Sequence, residues 1–443
     1  MKKIGIMFIL PALVLCFYSL DIFAANNDIF KFIQKNDVKS LKKTANSQTV
    51  SLKDEEANSP LLYAAAEARN PEIITILLEA GANIEEANKY GCTPLMLALK
   101  KNYANPDIAM ALIKNKANAN AVFRKKYDDE DKMTPLLFAV SENSLNSPRV
   151  IQALVDAGAN ADIKREEDGS TPLLLAARYA GNPEIINILV KAGSNIEEKN
   201  KYGYTPLMLA VRKNNSNPQI AVALILNKAG VNAAFDKKYD DEDKMTSLMY
   251  AVSEYMLNKP KVIQALIDAG ADINVKNAKD ERTPLLIAAG NANNTEIIDI
   301  LVKAGSNIEE KDKYGYTPLM LALKNNYAHP DIAIALIKYK ADVNAALPEN
   351  SSAPLLISLG ESIETKPKVI QALIDYGADV NAKNIEGITP LMYAAKYSSE
   401  EVIKILLKAG ADMDIKDKNG KKADDYVWDN LKIYQKDLRR FKK

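Results

Sequence analysis

The chain has 443 residues, with 58 lysines and arginines against 57 aspartates and glutamates, a net charge of +1, and 47% hydrophobic residues. Near neutrality excludes the long-range attraction by which a strongly basic protein holds nucleic acid or an anionic membrane, so any affinity must come from local patches. Two cysteines, Cys16 and Cys92, and one histidine, His329, exclude a disulfide framework and a structural zinc site.

Lys2 and Lys3 precede an apolar run from Ile4 to Leu20, and Ala24 and Ala25 follow, just before Asn26-Asn27-Asp28. This order predicts a signal peptide over residues 1–25, cleaved after Ala24 or Ala25. The run is also long enough to stay as a membrane anchor, and Leu13-Val14-Leu15-Cys16 loosely resembles a bacterial lipobox, although Leu15 is large for its place. Cleavage after Ala24 takes the net charge from +1 to 0 and leaves Cys92 as the one thiol. Residues 26–58 then read as a degenerate first repeat. Asp28 caps a short helix through Ile29, Phe30, Phe32 and Ile33, Asp37 caps another through Val38 and Leu41, and Lys31, Lys35, Lys39, Lys42 and Lys43 suit an outer face on which nothing stacks.

From Ser59 onward the chain repeats. Thr-Pro-Leu or a variant begins at Ser59, Thr93, Thr134, Thr171, Thr205, Thr246, Thr283, Thr317, Ala353 and Thr389, at spacings of 34, 41, 37, 34, 41, 37, 34, 36 and 36. A period in the thirties predicts stacked two-helix units and one array over 26–443, of about 11 repeats. In the unit at Thr171, Thr171 is the N-cap, Pro172 takes the first helical position, and Leu173, Leu174, Ala176 and Ala177 follow. Asn182-Pro183-Glu184 starts a second helix with Ile185, Ile186, Leu189 and Val190 on one stripe, and Gly193 closes it. Leu207, placed like Leu173, is expected to face the packed interior.

A longer period is superposed on the first. Asn200 to Ala210, NKYGYTPLMLA, has near copies at Asn88 to Ala98 and Asp312 to Ala322, each 112 positions away. Three cassettes result: 59–170, 171–282 and a shortened 283–388. The long member carries an inserted acidic loop, and Lys125 to Thr134 is identical to Lys237 to Thr246. Residues 420–443 form a closing segment, with Trp428 as an aromatic lid or a binding anchor and a basic tail ending at Lys443.

The unit Thr-Pro-Leu-x-x-Ala, a second helix, and then Ala269-Gly270-Ala271-Asp272-Ile273-Asn274 or Tyr376-Gly377-Ala378-Asp379-Val380-Asn381 resembles the ankyrin repeat, over about residues 27 to 443. The resemblance implies an all-α solenoid of stacked antiparallel helix pairs, with hairpin loops on one side, that binds other proteins. Two departures stand out. The histidine usual after Thr-Pro-Leu is replaced by Met96, Met208, Met320 or Met392, or by Leu62, Leu137, Leu174, Leu286 or Leu356, and most repeats carry one to three extra residues between the helices.

Catalytic signals are missing. His329 stands where Asn105 and Asn217 stand in the sister copies, which makes it a helix cap rather than a general base, and no glycine loop suits a phosphate. Cys92 occupies the position of Tyr204 and Tyr316 and reads as a surface thiol. The acidic loops, Asp128 to Asp131 and Asp240 to Asp243, offer oxygen ligands without EF-hand spacing.

The expected function is therefore a non-enzymatic scaffold without a cofactor, small-molecule substrate or nucleic acid, exported to a bacterial periplasm or beyond, and free of a membrane span once the signal is cleaved. Its partner is a protein. Rival readings are a regulator or inhibitor of an envelope enzyme, and a calcium-dependent surface or adhesive protein. The candidate contact residues are Lys89, Tyr90, Lys201, Tyr202, Tyr204, Arg212, Lys313, Tyr314 and Tyr316, with Lys100, Lys101, Lys213 and Lys324 behind them. Packing of each tyrosine on the next hairpin is the alternative account of the same residues.

Overall fold

The computed structural model describes residues 28–99, 105–125, 128–141, 147–212, 217–234, 244–253, 260–324, 330–360 and 367–426. The expected signal peptide over 1–25, Cys16, Lys100, Lys101, Lys213, His329, the second acidic loop at 237–243, and Trp428 with the tail lie outside these residues.

Two short helices come first, α1 (28–34) and α2 (Val38–Thr44). Next come α3 (Pro60–Glu67), α4 (Glu72–Glu79), α5 (Pro94–Ala98) and α6 (Pro106–Lys114), then the strands β1 (Phe123–Lys125) and β2 (Asp128–Met133). The chain continues through α7 (Pro135–Ala139), α8 (Pro148–Asp156), α9 (Pro172–Tyr179), α10 (Glu184–Lys191), α11 (Pro206–Val211) and α12 (Pro218–Leu226). After these come α13 (Ser247–Ser253), α14 (Pro260–Asp268), α15 (Pro284–Asn291), α16 (Thr295–Lys303), α17 (Pro318–Lys324) and α18 (Pro330–Lys338). The last are α19 (Pro354–Ile357), α20 (Pro367–Asp375), α21 (Pro390–Tyr397) and α22 (Glu400–Lys408).

These elements group into two compact units. One comprises residues up to 210 together with 226–229, and the other 211–225 with 230 onward. In the first, α3, α5, α7 and α9 stack in one layer and α2, α4, α6, α8 and α10 in a second. In the second, α13, α15, α17, α19 and α21 stack against the layer of α14, α16, α18, α20 and α22.

Most first helices start at the predicted threonine or serine cap, whereas Ala353, before α19, offers no capping side chain. The hydroxyls of Thr93, Thr171, Thr283 and Thr317 accept the backbone N–H three residues on, at 3.4 Å, while the following proline needs no acceptor. Several second helices have an asparagine at their start: Asn105 accepts from Asp107 at 3.0 Å, and Asn182 from Glu184 at 2.9 Å, whereas Ser147 and Ser399, before α8 and α22, make no such bond. Gly193, at φ 94, closes α10 in the left-handed region, which a side chain would strain. The apolar stripes meet between layers. Leu61, Leu62, Ile73, Ile74 and Leu77 are fully buried, and Leu207 is 1% exposed. Met96, Met208 and Met320, in place of the histidine, are fully buried as well.

Neighbouring repeats are also braced by asparagines that the sequence reading did not single out. Asn120 donates to the Gly158 carbonyl and accepts from the Asn160 N–H, both at 2.8 Å. Asn232 does the same with Gly270 and Asp272, and Asn344 with Gly377 and Asp379, at 2.8–2.9 Å. One amide thereby fills two backbone groups of the next repeat, a donor and an acceptor that both lack partners at a helix end.

The all-α expectation holds for both layers, and the acidic insertion adds a small ribbon. β1 and β2 pair antiparallel, with Phe123 opposite Met133 and Lys125 opposite Asp128, and in the sister loop Ala234 bridges Thr246. The insertion supplies enough chain between Val122 and Thr134 for two strands to pair.

Candidate partner-binding face

The hairpin tips are built around one acceptor side chain. Asn88 Oδ1 accepts from the N–H groups of Tyr90 and Cys92, Asn200 from those of Tyr202 and Tyr204, and Asp312 from those of Tyr314 and Tyr316, all at 2.9–3.0 Å. An Asx side chain that gathers two successive alternate donors closes the turn without help from other residues. Gly203, at φ 79, supplies the left-handed residue inside it.

This geometry sends the two aromatic positions of each tip in opposite directions. Tyr90, Tyr202 and Tyr314 project outward at 57%, 46% and 56% exposure. Tyr204, two residues later, is 8% exposed, and Tyr316 is half-buried. Tyr204 therefore does not belong to an exposed face, contrary to the expectation, because the residue before the threonine cap is folded back against the repeat. Cys92 is corrected for the same reason: the expected surface thiol is buried, at 1% exposure.

The lysines behave differently from one another. Lys89 stands over the Tyr90 ring, Nζ 5.1 Å from the centroid, and Lys313 over Tyr314 at the same distance. Lys201 Nζ donates to the carbonyls of Glu166 and Glu167, and Lys313 Nζ to that of Lys279, so both reach back to the preceding hairpin. Their backbones do so too, Lys201 N–H to Asp168 O at 2.8 Å and Lys313 N–H to Asp280 O at 2.9 Å. At the base of the same Tyr314 tip, Lys324 donates to the Tyr316 hydroxyl at 2.9 Å and lies 4.2 Å from its ring centroid. Arg212 is half-buried, with its guanidinium 5.5 Å from the Tyr250 ring centroid. In the first unit the Tyr90 and Tyr202 tips are separated in sequence by the hairpins at 123–133 and 165–170, so they form two stations and not one cluster.

A family model for ankyrin repeats (3 copies) matches residues 22–122, 121–200, 175–277, 256–346 and 352–423. The chain belongs to the ankyrin-repeat family. It is 35% identical over 125 residues to an ankyrin repeat protein of fowlpox virus (strain NVSL), covering 28% of this chain and 35% of that protein. It is 33% identical over 180 residues to neurogenic locus notch homolog protein 1 of Xenopus tropicalis, covering 37% of this chain and 7% of that one. The chain thus spans about a third or less of these relatives. Among solved structures, the ankyrin repeat domain of Bcl-3 matches at TM-score 0.44 and 28% identity, over 54% of this chain and 99% of that domain.

Within this ankyrin-repeat frame the sequence reading missed part of the surface. The residue four positions after the cap reaches the surface in some repeats and not in others: Tyr63, Phe138, Leu209, Ile357 and Tyr393 are half-buried, whereas Leu97, Leu175, Tyr250, Ile287 and Leu321 are buried. The signal was present as an aromatic or aliphatic residue recurring one helical turn after the cap. Tyr376 and Ile385, at half exposure, were also passed over. Among the described residues no cluster of His, Cys, Asp or Glu is arranged to hold a metal ion, and no helix is long and apolar enough to cross a membrane.

Proposed function

We propose that this ankyrin-repeat chain is an exported, non-enzymatic scaffold that holds a protein partner on its hairpin tips. The observation that carries the reading is the outward placement of Tyr90, Tyr202 and Tyr314 on turns already closed by Asn88, Asn200 and Asp312. An aromatic side chain on a pre-ordered turn loses little further freedom on binding, and tyrosine is among the residue types that concentrate interface energy. Export is supported by Lys2, Lys3, the apolar run from Ile4 to Leu20, and Ala24-Ala25. A photocrosslinker at position 202 in the native cell should trap one protein. Replacing Tyr90, Tyr202 and Tyr314 together by alanine should weaken its capture by roughly 2 kcal/mol or more. Capture unchanged in a folded triple variant would remove the tips from the site.

A further inference from the structure

We propose that the cleft between the first two hairpins takes a lysine or arginine side chain of the protein partner. The inference rests on the tips being the binding face, since Tyr90 belongs to both. The cleft has a volume of about 460 Å³, and its accessible apolar surface comes from Ala66 and the rings of Tyr63 and Tyr90, lying over the buried Leu62 and Leu97. Glu55, Glu56 and Glu67, all exposed, supply its acidic groups. A long cationic side chain fits this division of labour. Its alkyl stem lies on apolar surface, its head faces the carboxylates, and the tyrosine rings attract the cation through their faces.

Among the described residues no lysine, arginine or histidine lines the cleft, and Asp54, Glu55, Glu56 and Glu67 enter no ion pair there. Lys53 is engaged by Glu86, outside the cleft, and Lys89 stands over the Tyr90 ring. Burial pushes the Tyr63 phenol above its ordinary value, and the charges of Glu67 and Asp54 push it the same way, so the negative field reaches the cleft wall. A bare metal ion fits less well. Asp54 is already occupied in closing its own tip, accepting from Glu56 at 2.9 Å and Asn58 at 2.7 Å, and no metal-ready cluster exists among the described residues.

The test uses the full-length chain and a fluorescein-labelled pentapeptide, Gly-Leu-Arg-Leu-Gly, beside versions with citrulline or glutamate in place of arginine. In fluorescence polarisation at about 0.15 M salt, the arginine peptide should bind about tenfold tighter than the citrulline peptide. The Glu55→Gln, Glu56→Gln, Glu67→Gln variant should erase that preference with its melting temperature unchanged. Equal binding of the arginine and citrulline peptides, or a preference that survives in the triple variant, overturns the proposal. So does displacement of the arginine peptide by equimolar putrescine, which would assign the cleft to a small amine. If the arginine preference is absent while partner capture still depends on Tyr202, only the cleft assignment falls. If the preference holds while capture ignores the tip tyrosines, the tip reading falls instead.

Discussion

Tyr202 and Tyr204 are two residues apart on one turn and belong to different regions of the molecule. The tip region projects Tyr202 at 46% exposure, and the base region encloses Tyr204 at 8%. Both receive their positions from Asn200, whose Oδ1 takes the N–H of each at 3.0 Å. The same split separates Tyr90 from the buried Cys92. One turn motif copied along a repeat array can therefore carry a binding residue and a packing residue side by side, and resemblance between them in sequence says nothing about which is which.

The base stands on the helix layers, so the largest effect is expected there. Leu207→Ala opens a cavity in α11 and should destabilise by about 2 to 5 kcal/mol. Because each repeat touches only its neighbours, hydrogen exchange should show the loss centred on adjacent repeats. Uniform deprotection along the chain would contradict stacked-repeat energetics.

Next comes the direct contrast. Tyr204→Ala should lower stability by roughly 2 to 4 kcal/mol, and Tyr202→Ala by less than about 0.5 kcal/mol. In partner capture the order should reverse for any variant that stays folded. Equal stability losses in thermal melts of the two variants would erase the distinction between tip and base.

How much of this was legible in the sequence follows from what each signal encodes. The caps at Thr93 and Thr171, the N1 prolines and Gly193 act through backbone groups a few residues away, so spacing alone placed the helices. The burial of Leu207 followed from helical periodicity. Burial at Cys92 and Tyr204 did not, because a turn has no period and the side-chain direction depends on two hydrogen bonds to one Asx oxygen. The bracing by Asn120 and Asn232 was likewise invisible: its partners, Gly158 and Gly270, lie 38 residues on. The retained lysine column misled in part, since a lysine beside a tyrosine reads as surface charge whether or not it bonds back to the preceding hairpin, as Lys201 and Lys313 do.

Asn200 tests the shared origin of the two regions. Asn200→Ala removes the acceptor for both tyrosine N–H groups and should cost about 1 to 2 kcal/mol, while Asn200→Asp, the residue that Asp312 already provides in the sister tip, should keep most of it. Loss of partner capture in the alanine variant, measured at a temperature where it is folded, would tie the exposure of Tyr202 to the turn itself.

The smallest effect lies in the loop segments leading to the tips, where Lys276 pairs with Glu310 at 2.7 Å, as Lys164 does with Glu198. The Lys276 hydrogen bond holds the Glu310 carboxyl below its ordinary value against the opposing effect of burial, and the same bond raises Lys276. A carboxylate depressed in the folded state stabilises above its unfolded value of 4.5, and that contribution is lost as pH falls through the lower folded value. For Lys276 the sign is opposite: its contribution is present below 10.5 and lost above the raised folded value. Both side chains are partly exposed, so the pair is worth less than about 1 kcal/mol. Urea melts of Glu310→Gln should thus show a small deficit near pH 7 that shrinks as pH falls below 4.5 and through the lower folded value. A deficit that stays the same from about pH 7 into the acid range would mean that charge on Glu310 is not its source, leaving the ion pair beneath the tips without a stabilising role.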